Sequence, residues 1–437
     1  MIRATPLALS LLGLSCGLIF LGQDLRFGVR IRAFDIGLIV VAALLIWQIL
    51  SRGVRRDTGA FVLSFGAFAL YVTCNALLQV STGTAIKELI QLTFFLLFFL
   101  SLVQFIRTEH ATKIFLIFFV ATLCLLALHN GYFHLSRGSF AGWKDLGDRK
   151  LTHSVLFVVL VIISFSAFRP RRPWWTLLLV VTVVFLFLSG ERKGWAAAIA
   201  ATVIALMIAD GGGVDRKTLR RVSTFILGGG ALIALVALLS PYVPYLEKQL
   251  VSSVEFVKLL LLDTDTRRAI ETTRSNEGRI VTIELALFHM RENPVFGLGP
   301  ERFRAVSSGM AFLPIAPDDV KGAHNELLRI GAELGYVGLA LYGLVNLVVA
   351  WRAMRLIMCM RWLDAAEQLR VRLGVGMFLF GFAVNVFLAG GGLNTFFLVF
   401  PAGLLFSVPL PAPGHLPFAR IRSGSRPIFR HNPLVFR

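Results

Sequence analysis

Charge and paired cysteine are scarce in this 437-residue chain, and each shortage narrows what the protein can be. Only 16% of the residues are charged, where a soluble domain carries roughly a quarter. An ordinary water-soluble globular domain is excluded. The four cysteines, Cys16, Cys74, Cys124 and Cys359, stand singly in apolar runs, without the paired spacing of a zinc site or the loop placement of a disulfide framework. They predict neither a metal nor a disulfide. Acidic residues are the rarer sign, 25 against 44 Lys and Arg, for a formal net charge of +19. No internal repeat is evident.

What is abundant is apolar. Hydrophobic residues make up 56% of the chain, 38 of them Phe, and the mean hydropathy is +0.75. The pattern is that of an all-α polytopic membrane protein. Runs of about 17 to 25 mostly apolar residues mark spans. They fall near 5–23, 35–50, 59–80, 88–106, 112–130, 153–168, 173–189, 195–209, 222–240, 326–350, 372–389 and 394–410, which predicts a transmembrane bundle of about twelve spans. The first run lacks a small-x-small cleavage site and reads as a retained span.

Orientation follows from Lys and Arg in the short connections. "SRGVRRD" (51–57), "FRPRRP" (168–173), "DRKTLRR" (215–221), "WRAMRLIMCMRW" (351–362) and the Arg-rich tail share one set of loops. Those loops and both termini are predicted to be cytoplasmic. The basic excess is then a topology signal together with attraction to anionic lipid, and nucleic acid is the weaker partner. The predicted organisation is a bundle of nine spans over 1–240, a periplasmic loop with helices over 241–323, spans ten to twelve over 324–410, and a basic cytoplasmic tail over 411–437.

The loop at 241–323 is too long for a plain connector. Within it, "YLEKQLVSSVEFVKLLLLD" (245–263) could lie along the membrane surface or cap the bundle, and "GRIVTIELALFHMRENPVFGLGPERF" (278–303) predicts a helix from about Arg279 to Arg291, stopped by "NP" and two glycines. Three places on this outer face offer chemistry. In "LSGERKGWAA" (188–197), Arg192 and Lys193 are either interfacial anchors or an anion site, since a guanidinium's fork of donors matches phosphate oxygens. Arg279, with Arg274 before it, is either a solvated helix face or a second anion contact. The third is His324 with Asn325 in "KGAHNELLRIGAELGYVG" (321–338). A histidine there could simply satisfy a buried partner. At a helix N-terminus, however, the dipole disfavours the imidazolium, and a neutral ring is what a general base requires. Gly331, Gly335 and Gly338 recur on one face and predict close packing of that helix. Glu326 and Glu333 share a face and either orient the base or make polar helix contacts. Arg137, in "HLSRGSFAGWKDLGDRK" (134–150), is a further candidate contact for a glycan or phosphate.

Taken in order, "LSGERKGWAA", "GRIVTIELALFHMRENPVFGLGPERF" and "GAHNELLRIGAELGYVGLALY" resemble the O-antigen ligase and polymerase superfamily of bacterial inner-membrane glycosyltransferases, most closely the ligases. The resemblance implies a GT-C-type enzyme that needs no metal or other cofactor, uses an undecaprenyl-diphosphate-linked glycan as donor, and passes it to lipid A core in lipopolysaccharide biosynthesis. It maps the base onto His324 and the diphosphate contacts onto Arg192 and Arg279, with Lys193 sharing the first; Asn325, Glu326, Arg274 and Arg137 are supporting candidates. The expected place is the inner membrane with the active site facing the periplasm. Within the superfamily, a polymerase or a protein O-oligosaccharyltransferase stays open, and a transporter of lipid-linked sugars is the rival from another class.

Overall fold

The structure, a computed structural model, describes residues 4–19, 24–27, 29–32, a few positions between 39 and 53, 55–136, 151–166, 173–188, 192–208, 274–309, 325–387 and 393–410. The expected span at 222–240, the segment 245–263, most of 35–50, the tail after 410, Arg137 and His324 lie outside the described residues. Twelve α-helices are described: α1 (Ala4–Leu18), α2 (Gly59–Gln79), α3 (Thr82–Phe105), α4 (Glu109–Ser136), α5 (Leu151–Ser164), α6 (Pro173–Leu188), α7 (Arg192–Met207), α8 (Arg274–Glu292), α9 (Arg302–Ser308), α10 (Glu326–Met358), α11 (Ala365–Phe387) and α12 (Leu393–Ser407). Two short 3-10 helices, Arg56–Thr58 and Met360–Trp362, and an antiparallel hairpin, β1 (Asp24–Phe27) with β2 (Val29–Arg32), accompany them, with Asp24 opposite Arg32.

Among the described residues, four helical stretches are long and apolar enough to cross a membrane: Gly59–Gln79, Thr82–Phe105, Glu109–His129 and Glu326–Met358. Shorter apolar helices accompany them, including Leu151–Ser164, Gly194–Met207 and Thr395–Ser407. Helix is the form such sequences must take in lipid, because it pairs every backbone polar group within the segment.

The bundle is held by aromatic packing. α2 lies against α3, α3 against α12, and α12 against α11, and the phenylalanines lock the seams. Phe61 stacks on Phe99 with ring centroids 4.1 Å apart, and Phe396 stacks on Phe400 at 5.1 Å. Each such pair adds about 0.5–1.5 kcal/mol beyond its burial.

One end of the bundle is closed by arginines. Arg352, buried on α10, reaches Asp57 before α2 at 3.0 Å and the carbonyls of Leu405 and Val408 at the end of α12. Arg55 adds the Ser407 carbonyl at 3.1 Å. Arg370 of α11 is also buried, and donates to the Ile106 carbonyl beyond the last turn of α3 at 2.8 Å. Helix C-termini leave carbonyls unpaired and carry partial negative charge, so a guanidinium satisfies both needs. This corrects the expectation in two ways. "WRAMRLIMCMRW" is not a loop, since α10 continues through Met358. Arg352 and Arg370 are internal clasps, not contacts to anionic lipid. Arg55 and Asp57, the last turns of α10 and the end of α12 do gather at one end of the described bundle.

The opposite end carries the polar rim. Ser81 caps α3 by accepting from the Thr84 amide, and the turn 293–301, α9 and the start of α10 lie beside the α2–α3 corner. Lys87 of α3 pairs with Glu301 at 2.5 Å, and Arg302 donates to the Gln79 carbonyl at 2.9 Å.

Candidate functional site

Asn325 stands immediately before α10 in an extended conformation, and its side chain accepts from the Leu328 amide at 3.1 Å. It is the N-cap, one of the residue types best suited to satisfy a free helix amide. Its role in the described contacts is thus to start the helix.

One turn into α10, Arg329 is gripped from two sides. Its guanidinium donates to both carboxylate oxygens of Glu326, at 2.8 and 2.5 Å, and to Glu333 at 2.6 Å. The other oxygen of Glu333 accepts from the Phe303 amide in α9 at 3.3 Å. Both carboxylates are nearly fully buried. Glu326 and Glu333 do share a face, and Arg329 between them is the reason two acids can be buried there: a buried charge must be paired and hydrogen-bonded. The spacing of three and four residues was visible in the sequence; the pairing of both acids with one arginine was not anticipated.

α10 is then interrupted. Gly335 has φ 68° and ψ −172°, a region open in practice only to glycine. The expectation that Gly331, Gly335 and Gly338 form one packing face therefore fails at its centre, because Gly335 is not helical. Gly331 does allow close approach: a Cβ there would lie 2.6 Å from Met290 of α8.

The break is stitched to the turn after α8. The Leu298 amide donates to the Ala332 carbonyl at 2.9 Å, the Gly299 amide to Glu333 at 2.8 Å, and the Tyr336 amide to the Pro294 carbonyl at 2.7 Å. Tyr71 of α2 donates its hydroxyl to the Leu334 carbonyl at 2.7 Å and also lies 3.2 Å from the Val295 carbonyl, while the Asn75 amide donates to the Phe296 carbonyl at 2.7 Å. Backbone groups freed by the break are thus re-paired, as they must be where water is scarce. Gly297 makes this approach possible, since a Cβ on it would sit 2.4 Å from the Glu333 backbone. We expect Gly335→Ala to cost about 1–3 kcal/mol from backbone conformation alone, and its Cβ would also meet the Val295 carbonyl oxygen at 2.2 Å. A lowered thermal midpoint in detergent would show this; an unchanged midpoint would mean the break is not a requirement of the fold.

Beneath the rim, His289 of α8 is buried beside Ser307, with Nε2 3.2 Å from the hydroxyl, and meets the edge of Phe303. Burial lowers its pKa against the opposing pull of Glu292. It packs α8 onto α9.

The other anticipated residues are placed by backbone. Arg192 opens α7, followed by Lys193; α8 begins at Arg274, a turn earlier than expected, which leaves Arg279 in its second turn. Comparison with known families now bears on this order of elements. Residues 177–343 match the O-Antigen ligase family model. No curated protein matches the chain. The matched stretch runs from α6 to just past the break in α10, and so takes in Arg192, Lys193, Arg274, Arg279, His324, Asn325 and Glu326. Arg137 lies before it. The match supports the O-antigen ligase and polymerase superfamily, and with the apolar helices it describes an integral membrane protein. Among the described residues, no group of three His, Cys, Asp or Glu side chains is placed to hold a metal; Glu326 and Glu333 are paired with Arg329 and Glu301 with Lys87. Sequence reading missed Arg329 and Tyr71 and read Asn75 only as a polar residue within a span; the signal for Arg329 was its spacing from Glu326 and Glu333.

Proposed function

We propose that the protein is an O-antigen ligase: it transfers a glycan from undecaprenyl diphosphate to lipid A core in lipopolysaccharide biosynthesis, with inversion and without a metal. The reading is carried by one observation, that the matched stretch contains both arginine elements and the HN element while the helix opened by Asn325 is anchored to α2, α8 and α9. It extends to a GT-C-type bundle of twelve spans in the inner membrane, with both termini cytoplasmic and the 241–323 segment and active site on the periplasmic side.

In the proposed reaction Arg192 and Arg279, with Lys193, hold the donor's diphosphate. A guanidinium can grip two phosphate oxygens at once, and the free amides at the start of a helix, as at Arg192, add to the attraction. His324 takes the proton from an acceptor hydroxyl. That oxygen attacks the anomeric carbon from the face opposite the diphosphate, forming the glycosidic bond as the carbon–oxygen bond to phosphate breaks. The electron pair leaves with undecaprenyl diphosphate, whose growing charge the arginines stabilise. Arg274, Glu326 and Arg137 are supporting residues in this reading.

A transporter would use a broken helix differently, leaving backbone carbonyls free to bind an ion at the break. Here the break's carbonyls at Ala332, Glu333 and Leu334 are occupied by the chain itself. Asn75 and Asn346, polar residues within spans, likewise donate to the carbonyls of Phe296 and Tyr342.

The test is reconstitution. Supplied with undecaprenyl-diphosphate glycan and lipid A core, the purified protein should produce capped lipopolysaccharide. If it lengthens the lipid-linked glycan with no core present, it is a polymerase. Arg192→Lys and Arg279→Lys should each impair transfer, because an ammonium cannot replace the bidentate fork; full activity in Arg279→Lys would reduce that residue to diffuse charge. A chelator should leave the wild-type rate unchanged, and loss restored by a divalent ion would overturn the metal-free mechanism.

A further inference from the structure

The end of α8 and the turn that follows expose an apolar surface where a periplasmic loop would be expected to be polar. The outward positions of α8 include Leu287 and Phe288, and the turn adds Val295 and Phe296, each roughly half exposed. Residues facing the other way, Val281, Leu285, Ala286 and Met290, pack against Phe303 and Ala332. The exposed set is therefore not a core that failed to close.

Its depth can be read from α2. That helix has 21 residues and so rises about 30 Å, the thickness of a bilayer's hydrocarbon layer. Gln79, at its end, lies level with the rim, where Arg302 holds its carbonyl. Asn75 is four residues below and Tyr71 eight, about 6 and 12 Å down. These are the two side chains that bind the carbonyls of Phe296 and Val295. An independent measure comes from α10, where Gly335 follows Glu326 by nine residues, about 13 Å, and the next amide, of Tyr336, holds Pro294. The turn therefore dips below the outer end of two helices long enough to span a membrane. Both of those helices also expose apolar side chains near this depth, Leu70 on α2 and Tyr336 and Val337 on α10.

We propose that Leu287, Phe288, Val295 and Phe296 form a wedge inserted among the acyl chains of the outer leaflet, so that the turn between α8 and α9 is a re-entrant part of the membrane domain. Arg291, Glu292 and Asn293, exposed between the two apolar pairs, are its interfacial layer, the arginine stem running along the apolar surface with its head at the lipid headgroups. The wedge sets that part of the 241–323 segment in lipid while the rim above it faces water.

Nitroxide accessibility in proteoliposomes tests this without any substrate. Phe288, Val295 and Phe296 are replaced singly by cysteine in a full-length protein whose four native cysteines are changed to alanine, and spin-labelled. Leu70, exposed mid-way along α2, and Arg304, exposed on α9, serve as lipid and water references. At all three wedge positions oxygen should outcompete a water-soluble nickel chelate several-fold, as at Leu70, with the reverse at Arg304. Nickel dominance at Val295 and Phe296 would overturn the proposal by putting the turn in water. Protection from both reagents would overturn it too, since protein would then cover the surface. The side chains replaced are exposed, and a size-exclusion profile matching the parent verifies each fold.

Discussion

Arg329→Ala should be among the most damaging single substitutions in the described part of the chain, costing about 3–5 kcal/mol of stability, as loss of one partner from a buried ion pair does. Glu326 and Glu333 are nearly inaccessible, and Arg329 is the cation that both carboxylates hold. Its removal leaves two buried acids close together, and the penalty for an uncompensated charge exceeds the net worth of the pair itself. The damage should spread, because Glu333 also holds the Phe303 amide and its backbone carbonyl holds Gly299. Thermal unfolding in detergent should show a midpoint several degrees lower. Arg329→Lys should recover only part of it, since one ammonium cannot span both carboxylates. Replacing all three residues together, as Glu326→Gln, Arg329→Met and Glu333→Gln, should recover more stability than Arg329→Ala retains, because no buried charge is left unpaired. An Arg329→Ala protein as stable as the parent would mean that water reaches the acids and that the cluster is not structural.

His324→Ala should act on rate instead. Loss of a general base slows a reaction by about 10²- to 10⁴-fold, and the diphosphate contacts proposed for the two arginines do not depend on the imidazole, so donor binding should persist. In sequence the residue adjoins Asn325, whose cap starts α10. Asn325→Ala separates the two roles: it should lower stability by about 1 kcal/mol through the lost cap and leave donor binding intact. Measuring single-turnover transfer and donor affinity on the same samples distinguishes these outcomes. Near-normal transfer by purified His324→Ala would reduce the histidine to a structural part of the rim.

The class of protein and the positions of most described helices were legible in the chain. Apolar runs at 59–80, 88–106, 153–168, 173–189 and 394–410 became helices within a few residues of those limits, since in lipid an apolar run has no other way to pair its amides and carbonyls. The start of α10 was legible too, and its N-cap is a residue type that favours that position. What only the tertiary structure decided is where the regular pattern stops and what repairs it. Helical spacing put Gly331, Gly335 and Gly338 on one face, yet Gly335 breaks the helix because the turn at 294–299 offers the pairing that the helix gives up. Tyr71 and Asn75 complete that pairing from more than 220 residues away in sequence. Likewise Arg352 read as a topology signal by its place in 351–362, whereas in the fold it is buried against a helix end, as is Arg370. Periodicity says which side chains share a face. It does not say which backbone groups a neighbouring segment will leave unpaired, and those unpaired groups determine where buried arginines, a tyrosine and a glycine are needed.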